Sequence, residues 1–440
     1  MKTIFQKAIV IAAAILPVAV IAQQPKISNW RAYDQSGINV FETGKADSVK
    51  FDGLKVRWGA GFTQQFQGLK HENTAVNNTG TGTNRLYPIK PGFMTAQANL
   101  FMDVQLADGI RLNVTSYLSA RHHNETWVKG GYIQFDKVPF KGKFWDDFMK
   151  LATIKIGHFE VNYGDQHFRR SDGGHALQNP FMEGYIVDDF ATEIGGEVFL
   201  QKNGWFGMLS MTNGMIKGHV DSVLATVQDD NTKRSPSYIL KAGYDKQFEN
   251  VRLRLSGSFY HNNSSAGSGL TLFNGDRTGS NYQNIMERGV PGALPASTSL
   301  YTSGRFNPGF TKKLNALMLN GFVKAGGLEI FATYETAKGR SKAESTERKM
   351  NQIAGDLIYR FGKAEDVFFG LRYNTVGARL VGYTEDVTIN RLAFAGGWFI
   401  TKNVLLKAEY VSQQYKNFLA TDFRNGGKFN GYVIEAVVGF

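Results

Sequence analysis

A few residues in this chain have types and spacings that could do chemistry. His122-His123-Asn124-Glu125 could offer nitrogen and oxygen ligands to a metal, but the spacing matches no strong metal motif. His158, His167 and His175 flank Asp165, Ser171 and Asp172, so the serine, histidine and acid of a hydrolase can be drawn there. Neither a nucleophile elbow nor a spaced triad signature supports that drawing. Gly267-Ser268-Gly269 lacks the third glycine and the strand-then-helix setting of a nucleotide site. With no cysteine in 440 residues, disulfides, thiolate metal sites, iron–sulfur clusters, a cysteine nucleophile and a lipidated cysteine are all excluded. The residues thus point to no enzyme, no metal and no cofactor.

Charge is the richer signal. Lys55, Arg57, Arg111, Arg121, Lys155, Lys241, Arg252, Arg254, Arg360, Arg372, Arg391 and Lys407 all fall on the polar phase of segments that alternate apolar with polar residues. Acidic residues on the same phase, Asp103, Asp245, Asp356, Glu409 and Glu435, are fewer. Arginine grips an oxyanion with a two-pronged fork, and lysine offers a mobile point charge. The alternative role for such cations is structural, pairing with neighbouring carboxylates or with lipopolysaccharide at a membrane rim.

What those side chains can do depends on the elements that carry them. Residues 1–22 read as a secretory signal: Lys2 and Lys7, an apolar run from Ala8, and small residues before a cut after Ala22. Its removal takes the formal charge from +12 to +10 by deleting those two lysines. Beyond it, no stretch approaches the roughly 20 apolar residues a membrane helix needs. An exported chain leaves nucleic acid out as a partner, so the positive balance must serve another anion.

From Leu54 onward, about sixteen segments alternate with the period of a strand that has two different faces. From Met94 to Leu106, Met94, Ala96, Ala98, Leu100, Met102, Val104 and Leu106 share one face, and Thr95, Gln97, Asn99, Asp103 and Gln105 the other. Tight turns such as Asp108-Gly109, Lys202-Asn203-Gly204 and Gly326-Gly327 alternate with long polar loops. Aromatic residues crowd the strand ends, as at Trp58, Tyr163, Trp205, Tyr244, Tyr373, Trp398 and Tyr410. A soluble β-sandwich also has alternating strands, but it predicts neither the alternation of connection length nor this girdle. The expected fold is all-β: a transmembrane antiparallel barrel of about sixteen strands over 54–440, in a bacterial outer membrane, with 23–53 in the periplasm or the barrel mouth. The connection 137–150 is long for a periplasmic turn. The ending Tyr432 to Phe440 resembles the C-terminal signal read by barrel-assembly machinery, with Phe440 as its terminal aromatic.

Tyr163-Gly-Asp-Gln-His-Phe-Arg-Arg-Ser-Asp-Gly-Gly-His-Ala-Leu-Gln-Asn-Pro-Phe181, with Lys155 to Phe159 before it, Thr192 to Glu197 after it and Tyr33 to Glu42 upstream, resembles the phosphate-selective porin O and P family in its Bacteroidetes-type form. The resemblance implies a sixteen-stranded, anion-preferring porin, usually trimeric, with a third external loop at 164–189 folded inward as a constriction. His167, Arg169, Arg170 and Asp172 are the residues of that loop it would place at the constriction. Arg169 and Arg170 stand there among Asp165, Asp172, Glu183, Asp188 and Asp189, so the loop is not simply cationic. Passive diffusion of small anionic solutes, phosphate among them, is the function so implied. A hydrolase on a barrel scaffold and a structural or adhesive barrel are the alternatives.

Overall fold

The alternation becomes strands whose two faces meet opposite surroundings. Along Arg348–Phe361 buried and exposed residues alternate without a break. The sorting is the reverse of a soluble protein's: Gln352, Asp356 and Arg360 are buried, while Ile353, Leu357, Tyr359 and Phe361 are exposed. A continuous outer surface of this kind is stable against hydrocarbon, not water.

The computed structural model describes residues 24–45, 49–77, 83–118, 127–171, 173–214, 218–228, 231–266, 268–289 and 302–440. Residues 1–22, expected to be a secretory signal, and Arg121, His122, His123, Glu125, Asp172 and Gly267 lie outside the described residues. The strands are β1 (Lys55–Glu72), β2 (Gly92–Phe93), β3 (Gln97–Ala107), β4 (Ile110–Leu118), β5 (Trp127–Phe135), β6 (Ala152–Glu160), β7 (Thr192–Lys202), β8 (Trp205–Thr212) and β9 (Ser237–Gln247). They continue with β10 (Val251–Asn262), β11 (Lys313–Ala325), β12 (Leu328–Arg340), β13 (Arg348–Phe361), β14 (Val367–Ala378), β15 (Val387–Thr401), β16 (Val404–Lys416) and β17 (Lys428–Gly439).

From β3 onward each strand pairs antiparallel with the next, and β17 returns to β1 from Gly61 opposite Gly439 to Glu72 opposite Lys428, which closes the sheet. Both β2 and β3 pair with β1, at Phe66 with Phe93 and at Thr63 with Gln97, so they form one interrupted stave of a sixteen-strand barrel. Closure leaves no unpaired edge, the condition for spanning lipid with strands. At one end the turns are tight, and left-handed residues sit where they are needed: Gly109 at φ 72°, Asn203 at 55° and Gly204 at 90°. A short helix, α1 (Lys143–Met149), occupies the longer connection between β5 and β6.

β6 is the strand on which alternation falters, and Gly157 is the reason. It has φ 147° and pairs with Tyr132 on one side and Gly195 on the other. A Cβ there would lie 2.5 Å from the Gly131 carbonyl oxygen and 2.7 Å from Tyr132 Cα. Gly157→Val is therefore expected to cost about 1–3 kcal/mol in backbone strain alone. The readout is a lower barrel-melting temperature on heated gels; an unchanged melt would show that the β5–β6 ladder tolerates a side chain.

The inner face is not uniformly polar, which corrects the simplest picture of a water-filled lumen. Met318, Ile358, Phe368, Ile389, Val411 and Val433 point inward and pack with Leu177, Phe181 and Ile186 of the connection 161–191 and with Leu272, Ile285 and Phe306 of the connection 263–312. Two folded-in loops cover this part of the wall, so its core lies inside the barrel.

Candidate functional site

The wall's charged side chains hold those loops. Asp165, at the start of the third loop, accepts hydrogen bonds from Arg254 Nε and Nη2 at 2.8 Å each and from Ser256 Oγ at 2.7 Å, and it pairs with Lys241 at 2.8 Å. Burial alone would raise its pKa, but Lys241 and Arg254 outweigh that and hold the carboxyl far below its ordinary range. Four strands further round the wall, Arg372 bonds Asp356 at 2.7 Å and donates to the Glu183 carbonyl at 2.7 Å. Arg391 donates to the carbonyls of Gly184 and Gly304 at 2.9 and 2.8 Å. Lys407 reaches Glu435 at 2.7 Å and the carbonyls of Ala176, Asn179 and Phe181. Gln352 and Asn374 accept the amides of Val187 and Ile186 at 3.0 and 2.6 Å. Loop backbone that would otherwise be buried unpaired is thus satisfied by the strands.

The fifth external connection locks onto the third: Arg305 bridges Glu183 at 2.7 Å and Asp188 at 3.1 Å, and Arg170 takes Asp188 at 2.6 Å. From the other end, residues 24–45 cross the barrel mouth. Tyr33 stacks on Phe101 with ring centroids 4.0 Å apart, Gln35 donates its amide to the Lys402 carbonyl, and Asn39 bonds Glu329 at 2.6 Å. Glu42 sits between Lys241 at 3.0 Å and Arg254 at 2.8 Å. Burial would raise its pKa, yet those two cations bring it down to about 2.

Among the described residues, three cavities adjoin one another. The upper one, about 340 Å³, lies between Thr271, Asp276, Arg277 and Thr302 of the fifth loop and the wall. It shares Lys129, Phe190 and Thr192 with a middle cavity of about 260 Å³, which runs between the third loop and the inner face of β3 to β7. That cavity shares Glu42 and Phe199 with a lower one of about 300 Å³ beside the β7–β8 turn. In series they form a row along one side of the barrel interior, from the fifth loop to the β7–β8 turn. Arg31, Lys45, Arg111, Lys129, Lys155, Lys202, Arg254 and Arg277 border it, against Glu42, Asp103, Glu160, Glu197, Asp245 and Asp276. His167 also borders it, bonded to Glu160 at 3.0 Å and Asn162 at 2.9 Å. Burial lowers the His167 pKa and Glu160 only partly offsets this, so the ring adds no charge at pH 7. Eight cations against six carboxylates leave the path mildly positive.

The sequence-predicted residues divide accordingly. Arg111 and Lys155 border the middle cavity, with Asp136 at 3.9 Å and Glu197 at 3.4 Å respectively. Arg254 touches the lower cavity while anchoring the loop. Lys241, Arg372, Arg391 and Lys407 are taken up by the third loop. Arg252 bonds Asp245 and the Asn39 carbonyl, and Arg360 bonds Glu329 at 2.7 Å. Lys55 pairs with Asp52 at 2.7 Å, and Arg57 stacks over Trp30 at 4.1 Å. Arg169 lies over Phe331, with Glu329 at 3.9 Å. Among the described residues Ser171 and His167 are not brought together: Ser171 donates to Glu183 at 3.2 Å, and both ring nitrogens of His167 are bonded to Glu160 and Asn162.

Lys129 was not legible. It pairs with Asp276 at 2.5 Å between the upper and middle cavities. Strict alternation from Gln134 would turn it toward lipid, but Thr115 pairs with Gly130 while Ser116 pairs with Val128, so Lys129 is the extra residue of a β-bulge and swings inward.

A closed barrel with an apolar outer belt and an inward third loop has the fold of an outer-membrane porin, and the belt places it in a bacterial outer membrane. A solved structure agrees on the fold. The chain is similar to the "anion-selective porin from Comamonas acidovorans" at 9% identity, covering 88% of this chain and 100% of that one with a TM-score of 0.53. It is also similar to outer-membrane expressed OmpT of Vibrio cholerae at 10% identity, covering 89% and 99%, TM-score 0.49, and to the outer membrane channel DcaP of Acinetobacter baumannii at 10%, covering 89% and 99%, TM-score 0.48. No family model and no curated protein matches the sequence.

Proposed function

We propose that the chain is a passive pore for small solutes with a modest preference for anions. The passage along β3 to β7, bordered by eight cations and six carboxylates, is the observation that carries this reading. Charge in a narrow cleft with low-dielectric walls focuses the field, so a small surplus raises the local anion concentration. Because several of these cations are partly neutralised by a neighbouring carboxylate, Lys129 by Asp276 and Lys155 by Glu197, anion sites along the row are weak and serial, as conduction requires. Phosphate is the narrower reading, supported by the likeness of Tyr163 to Phe181 to phosphate-selective porins, and a homotrimer is the assembly that likeness implies.

In a planar bilayer with a salt gradient, the zero-current potential is expected on the anion side. A potential on the cation side overturns the anion reading. Phosphate that fails to compete with chloride current overturns only the phosphate reading.

A further inference from the structure

The connection that carries α1 takes no part in the passage, and its composition needs another explanation. Phe140, Phe144, Trp145 and Phe148 form one cluster: Phe140–Trp145 ring centroids are 5.1 Å apart, Phe144–Trp145 5.2 Å and Phe144–Phe148 6.0 Å. Yet Phe140 is 57% exposed and Phe144 70%. At the helical period, Phe144, Trp145, Phe148 and Met149 fall within an arc of about 140°, and Lys143, Asp146, Asp147 and Lys150 take the rest. The charged face closes on itself through Lys143–Asp147 at 2.5 Å and Lys150–Asp147 at 2.7 Å. Lys137 ties the segment to the rim through Asp108 of the β3–β4 turn at 2.6 Å.

An aromatic cluster of this kind facing water would favour aggregation. Its position resolves the problem. Trp58, Trp205, Phe361 and Trp398 are exposed at the turn ends of β1, β8, β13 and β15, the ring expected where strands leave hydrocarbon. α1 lies at the same end and continues that ring past β5 and β6.

We infer that α1 is an interfacial helix that seats its aromatic face in the phospholipid leaflet on the turn side of the barrel. Its rings enter about 5–10 Å into the boundary between headgroups and acyl chains. Lys141, exposed beside the cluster, extends to the headgroup phosphates while its stem covers apolar surface. The helix thereby fixes the depth of the barrel on the side of β5 and β6.

The test uses the full chain in bilayers of phospholipid brominated near the top of the acyl chains. The emission difference between the native protein and Trp145→Phe isolates Trp145. That difference spectrum is expected to be blue-shifted, to lose about half its intensity to bromolipid and to be spared by aqueous iodide. Quenching by iodide without quenching by bromolipid would place Trp145 in water and overturn the inference. Protection from both quenchers would place it against another protein copy and overturn it equally. Because α1 borders none of the three cavities, Trp145→Phe keeps the native conductance, so this result stands apart from the reading of the pore.

Discussion

Asp165→Ala is expected to raise single-channel conductance several-fold, because it releases the end of the third loop that forms one side of the passage. Asp165 is the shared acceptor of Arg254, Ser256 and Lys241, and is 1% exposed. Removing one partner of such a buried cluster costs about 3–5 kcal/mol, since the cations left behind are neither solvated nor fully paired. Glu42 and Asp245 still hold Arg254, at 2.8 and 3.1 Å, so the wall stays folded and the loss falls on the loop. The far end of the loop remains tied by Arg372, Arg391 and Lys407. Movement is therefore confined to the segment containing Asn162, His167 and Phe168, which border the middle cavity. Asp165→Asn, which keeps shape and one acceptor, should fall between the two. Equal conductance in all three proteins would mean that the third loop does not limit flow.

The barrel was legible because its period is local. Trp205–Thr212 and Ser237–Gln247 are readable to the residue, since exposed apolar residues, Trp205, Leu209 and Met211 on one and Tyr238 and Leu240 on the other, keep to alternate positions between turn and loop signals. Strands that rise beyond the hydrocarbon belt are not readable at their outer ends. β12 reads only to Thr336 by alternation, yet its ladder continues to Arg340, where Lys338 is outward and in water. There the outer face turns polar and the pattern vanishes although the hydrogen bonds persist. Parity likewise identifies inward cations such as Lys241, Arg372, Arg391 and Lys407, but not their partners. Those partners are backbone carbonyls and carboxylates of loops far away in sequence, and no local pattern encodes which loop will enter the lumen. Lys129 shows the opposite failure, a single bulge reversing the parity of one residue.

The same distinction between cations that border the passage and cations that hold loops sets the second large effect. Arg111→Gln with Lys155→Gln is expected to bring the zero-current potential in a salt gradient close to zero. The substitutions leave six cations against six carboxylates along the path, removing the surplus that would exclude cations. Neither residue carries a loop: Arg111 has only a long pairing to Asp136 at 3.9 Å, and Lys155 reaches Glu197 at 3.4 Å, so the passage keeps its shape. The matching control removes two cations elsewhere, Lys402→Gln at a tight turn and Arg379→Gln in an external loop, both more than a third exposed. It changes the net charge of the protein by the same amount but should leave the potential at its native value, because exposed charges more than about 10 Å away are screened at 0.1 M salt. If selectivity followed net charge, the two double variants would shift alike, and the passage along β3 to β7 would not be the conducting path. If only the Arg111 and Lys155 pair shifts the potential, the field that sorts the ions comes from that wall, and selectivity should weaken further as salt concentration rises.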